Sequence, residues 1–136
     1  MCASGIRIEQ FDWIHFLTLA KFLAEKPIQN VEDSARFRTI VNRAYYAVHG
    51  KARRFLVDRE GKDIPHTGEA HRIVYEEFQN KPDKTFRKIG LNLQRLFGDR
   101  FKVDYRDWID DDLQKMVTTD LKIADEIIEK LNSLFR

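Results

Sequence analysis

One cysteine, three prolines and six glycines are all that 136 residues carry of the residue types that staple, lock or loosen a chain. The lone Cys2 has no partner for an internal disulfide, which excludes a disulfide-built secreted scaffold, fits a reducing compartment and leaves no paired-cysteine metal site. Pro27, Pro65 and Pro82 fall between apolar stretches and mark breaks rather than interiors. Long apolar runs are missing too: the stretch around Trp13 to Ala24 is cut by His15 and Lys21 and is too short to span a bilayer. Met1 to Gln10 has neither a basic start followed by an apolar run nor a cleavage site of small residues, so a cytoplasmic protein without a signal peptide is expected. GxxxxGK[ST], GxGxxG, HExxH and GxSxG are all lacking, which leaves no motif for a phosphate loop, a dinucleotide, a catalytic zinc or a serine nucleophile. No metal and no cofactor is expected.

What the chain does have is charge and aromatic rings. Its 24 basic and 22 acidic residues nearly cancel, so it is not a polycation. Their distribution is uneven. Between Ser34 and Val57 stand Arg36, Arg38, Arg43, Lys51, Arg53 and Arg54 with no acidic residue among them, whereas Asp104, Asp107, Asp110, Asp111 and Asp112 crowd one later segment. A basic stretch of this kind attracts phosphate or an acidic partner.

Helical spacing dominates the pattern. Trp13, Phe16, Leu17, Ala20, Leu23 and Ala24 predict a first helix over about 12 to 25, with Asp12 as its cap. Phe37, Val41, Ala44, Val48, Ala52 and Phe55 lie within roughly 60° of one another at about 100° per residue, and predict a long second helix beginning at Asp33 or Ser34. A loop, DIPHTG, precedes a short third helix carrying Ile73, Val74 and Phe78. Phe86 to Phe97 predicts a fourth helix ending at Gly98, with 99 to 107 as a turn or extended link, and Ile109 to Leu134 a long terminal helix. No stretch alternates apolar and polar residues over a strand's length. The fold class expected is all-α, a single domain of five helices in an antiparallel bundle.

The second helix carries the residues with chemistry. Opposite its apolar stripe lie Asn42, Tyr46, His49 and Arg53, with Arg43 and Gly50 along the margin. An arginine holds phosphate charge through its planar fork and a histidine moves a proton near neutral pH. Those are the roles required when a ribose 2′-hydroxyl attacks the adjacent phosphate without a metal. His15, His66 and His71 read as exposed or surface residues.

NRAYYAVHGKARRFL, Asn42 to Leu56, resembles the central helix of the HEPN family (higher eukaryotes and prokaryotes nucleotide-binding), of which a segment close to RAYYA is a hallmark. The upstream AKFLAE, the downstream PHTG, an LxRLF followed by DYRDW and the terminal amphipathic helix follow the same order, so the resemblance covers nearly the whole chain. It implies a small helical bundle that dimerises, so that R-x(4 to 6)-H motifs of two protomers form one ribonuclease site. Arg43 and His49 satisfy that spacing and are the implied catalytic pair, as phosphate clamp and as general base or acid. Residues six apart point about 120° away from each other on one helix, so a shared cleft between two protomers is expected, with Asn42, Tyr46, Gly50 and Arg53 in RNA binding or in the interface. Ala44 stands where catalytic members usually have a polar residue, and Gly50 where the RAYYA branch often has its histidine. The resemblance therefore implies either a metal-independent RNA-cleaving toxin or defence factor, or a noncatalytic module that binds nucleotide, RNA or a partner such as a nucleotidyltransferase or antitoxin.

Overall fold

A computed structural model describes residues 10 to 135, and the single cysteine lies outside them. Five helices follow in chain order: α1 (Ile14–Ala24), α2 (Asp33–Glu60), α3 (Glu69–Gln79), α4 (Lys84–Tyr105) and α5 (Leu113–Leu134). No strand occurs among the described residues, and the architecture is an all-α helical bundle. At 28 residues α2 is the longest element, and it touches all four others. It is the axis on which the rest is hung.

That central position explains why α2 buries more than one stripe. Val41, Ala44, Val48, Ala52 and Phe55 are buried as their spacing predicts, and Ile40, Tyr45, Ala47 and Leu56 join them because α1, α3, α4 and α5 approach from different sides. The helix stops at Gly61, whose φ of 65° is open to glycine at no steric cost. Lys62 N–H then closes the end by donating to the Leu56 carbonyl at 3.0 Å.

At the starts of α1, α4 and α5, short acidic side chains satisfy free backbone N–H groups. Asp12 accepts from Ile14 N–H at 3.0 Å, Asp83 from Thr85 N–H at 2.7 Å and Asp112 from Lys115 N–H at 3.1 Å. The Asp112 cap sets the start of α5 at Leu113, so the terminal helix begins later than its apolar pattern predicts. The larger correction concerns α4. It runs through Gly98 without a break, and residues 99 to 105, expected as a link, are helical. Leu96, Arg100 and Val103 remain buried at helical spacing across that stretch, and this burial outweighs the roughly 1 kcal/mol cost of an interior glycine. None of the described helices is long and apolar enough to cross a membrane.

Candidate functional site

Extending α4 past Gly98 delivers Arg100 and Asp104 to the middle of α2. Arg100 is 5% exposed, and its guanidinium lies 5.5 Å from the ring centres of both Tyr45 and Tyr46, 5.2 Å from Phe97 and 6.0 Å from Tyr105. A buried cation surrounded by ring faces is favourable where water is excluded. One of its nitrogens also reaches Asp104, at 3.5 Å. From there a polar relay crosses to α2: the Asn42 amide donates to both Asp104 oxygens, at 3.0 and 2.8 Å, and Asn42 Oδ1 accepts from Arg43 Nε and Nη2 at 2.8 and 2.5 Å. Asn42 thus joins a carboxylate to a guanidinium by offering each the opposite end of its amide.

On the far side of Tyr46 lies a nest of histidines. His49 stacks on Tyr45 with ring centres 5.5 Å apart, meets Tyr46 edge-on at 6.4 Å and lies 4.6 Å from His71 of α3. His71 Nδ1 is 2.6 Å from the buried Tyr45 hydroxyl. Burial drives the His49 pKa down to about 3, with the positive charge of His71, Arg53 and Arg100 adding to it. His71 is lowered as well, by burial and then by Arg100. Burial pushes the Tyr45 phenol above its ordinary range against the opposing pull of Arg100. At neutral pH both imidazoles are uncharged and Tyr45 keeps its proton.

The predicted site residues therefore divide. Arg43, Asn42, Tyr46 and His49 do meet, with Tyr46 as the centrepiece: Arg43 lies 5.4 Å from its ring on the side of α1, where it also stacks on Phe16 at 4.4 Å, and His49 lies on the side of α3. Gly50 does not join them. It is buried, and an added Cβ would sit 2.2 Å from Trp13 Cγ, so its small size serves the crossing of α1 over α2 within one chain. Arg53 is turned to the DIPHTG loop, donating to the Ile64 carbonyl at 2.9 Å and meeting His66 Nε2 at 3.1 Å.

The basic stretch is less free than its sequence suggests. Arg36, Lys51 and Arg54 pair with Asp33, Asp12 and Asp58. Arg38 is spent on the carbonyls of Val103, Arg106 and Asp107, at the negative end of the α4 dipole. Only Arg38, Arg43 and Arg53 of the six lack a carboxylate partner among the described residues.

His71, Arg100 and Asp104 were not anticipated as a group. His71 reads as a surface residue in its own helix, yet it is half-buried against His49; Arg100 falls in a segment whose helical state the pattern obscured. Asp104 belongs to the DYRDW segment, which marked its neighbourhood without giving it a role. No group of three metal-ligating side chains occurs among the described residues. A shallow cavity of about 340 Å³, lined by Arg38, Thr39, Asn42 and Asp104 among others, adjoins the relay.

Comparison with family models, with curated proteins and with solved structures finds no match to this chain. Fold and site together define an all-α bundle with a cation, carboxylate and imidazole cluster built around paired tyrosines.

Proposed function

We propose that the chain is an RNA-directed protein of HEPN type, a toxin or defence factor that cleaves RNA without a metal at a site completed by a second copy of itself. The observation that carries this is the convergence of Arg43 and His49 on one ring, Tyr46, with hydrogen-bonding capacity to spare. Arg43 uses Nε and Nη2 on Asn42 and leaves Nη1 unengaged, and neither His49 nitrogen has a partner among the described residues. Uncharged at neutral pH, His49 is in the form that accepts the 2′-hydroxyl proton. A phosphate held in the cleft shared with a second copy brings negative charge beside His49 and draws the imidazole back toward its ordinary basicity. Arg43 stabilises the charge that builds on the phosphate oxygens. The products then carry 2′,3′-cyclic ends.

The noncatalytic alternative, a module binding RNA, nucleotide or a nucleotidyltransferase or antitoxin partner, is favoured by the depth of His49. A histidine held at a pKa of about 3 is a weak base until something changes its surroundings.

Cleavage of RNA in excess chelator separates the two. His49→Ala and Arg43→Ala are each expected to slow the wild-type rate by about 10²-fold or more, and the double variant by much less than the product. Folded wild type that binds labelled RNA but cleaves none of the sequences tried would transfer the assignment to the binding module.

A further inference from the structure

Away from the Tyr46 cluster, α4 and the start of α5 line an open cavity of about 480 Å³, in the range of small-molecule sites. At its floor Asp120 is 1% exposed, and neither carboxyl oxygen has a hydrogen-bond partner among the described residues. A buried carboxyl group in that condition costs free energy unless something meets it. A second acid, Asp99, lines the same cavity and adds negative charge beside it. Burial, and then Asp99, push Asp120 up to about 9, while Arg95 and Lys102 pull the other way. Asp120 therefore keeps its proton at neutral pH.

The walls have the opposite character. Lys102 is already paired with Asp111 at 3.0 Å, and Asp112 is engaged in capping α5. Arg95 and Lys115, both exposed at the mouth, have no carboxylate partner among the described residues. A floor that wants donors lies under a rim that wants an anion.

We infer that this cavity binds a small zwitterion, its ammonium group on the Asp99 and Asp120 floor and its carboxylate against Arg95 and Lys115. A bare cation leaves the two rim cations unanswered, and a bare anion leaves the floor unpartnered. The bound ammonium replaces the proton on Asp120, which leaves to solvent, so that binding releases acid. Thr119 and Met116 line the remaining wall.

Met116 provides the probe. The chain has two methionines, Met1 and Met116, and Met116 lines the cavity, so its labelled methyl resonance, assigned against a Met116→Leu spectrum, reports occupancy directly. Glycine, 4-aminobutyrate and 6-aminohexanoate are titrated as zwitterions of increasing reach, with n-butylamine and butyrate as the separate halves. At least one zwitterion is expected to shift the Met116 methyl saturably and release protons, with each half at least about 10-fold weaker. Asp120→Asn keeps the shape of a protonated carboxyl group but cannot become an anion, and Lys115→Gln alters only the exposed rim; each should weaken binding by about 10-fold or more. The inference is overturned if no zwitterion moves the methyl, if butylamine alone binds as well as the zwitterion, or if binding survives Asp120→Asn undiminished.

Discussion

Asn42 shows how much a single side chain can be asked to do here. It accepts two bonds from Arg43 through its oxygen and gives two to Asp104 through its nitrogen. An aspartate of the same shape would serve Arg43 but set a carboxylate against Asp104, and an alanine would leave both partners loose. Asn42→Asp is therefore expected to lower the denaturant midpoint, by about 1 kcal/mol or more in unfolding free energy, because a like-charge contact replaces two hydrogen bonds. Asn42→Ala should be milder in stability. For the proposed RNA cleavage its expected effect is a loss of about 10-fold, since Arg43 keeps its charge but loses the bond that orients it. A stability for Asn42→Asp equal to wild type would mean that the relay contributes nothing to the fold.

At the level of elements, Gly50 and Gly98 make a natural pair of opposites. Both stand inside helices, where glycine costs roughly 1 kcal/mol relative to alanine. A Cβ on Gly50 would overlap Trp13 Cβ, Cγ and Cδ2, atoms too close to the α1 backbone to swing aside, whereas nothing lies within 4 Å of Gly98. Gly50→Ala should thus destabilise by about 1 to 3 kcal/mol despite the better helix former, and Gly98→Ala should stabilise by roughly 0.5 to 1 kcal/mol. Thermal melts of the two variants test both signs. Gly50→Ala combined with Trp13→Ala should cost less than the sum of the separate changes, because the clash is gone.

The same glycines show what was legible in the sequence. Spacing alone disclosed the five helices and the buried stripe of α2, since apolar periodicity is local information. It could not disclose that Gly98 is passed over while Gly50 is filled by an indole some forty positions away, because the outcome depends on which helix crosses at that point. The site divides in the same way. Asn42, Arg43, Tyr46 and His49 share one helix and could be grouped by angle; His71, Arg100 and Asp104 arrive from two other helices. Even the charge of α2 was half legible, since the carboxylates of Asp12 and Asp33 and the carbonyls at the end of α4 become its partners only on folding.

For the whole molecule, two buried groups with opposite protonation preferences set the shape of stability against pH. His49 is held uncharged, its pKa lowered from 6.5 to about 3, chiefly by burial and then by the charges of His71, Arg53 and Arg100. Between those values the unfolded chain binds a proton that the folded chain refuses, so stability is complete above about 6.5 and is lost as pH falls toward 3; His71, lowered in the same direction, adds to that acid arm. Asp120 behaves the other way. Its pKa is raised from 3.8 to about 9, so the folded chain keeps a proton that the unfolded chain has given up, and stability falls as pH rises from about 4 until it levels above 9. Each group can contribute a slope of at most about 1.4 kcal/mol per pH unit. The two arms overlap between pH 4 and 6.5, where they oppose and flatten the profile; above 6.5 only the Asp120 arm remains. Unfolding free energies measured in urea from pH 4 to 9 should therefore decline on the alkaline side in wild type. Asp120→Asn should remove most of that decline while leaving the acid arm in place, and His49→Gln should weaken the acid arm while leaving the alkaline one. An alkaline decline that persists unchanged in folded Asp120→Asn would show that Asp120 is not its source and does not hold its proton through this range.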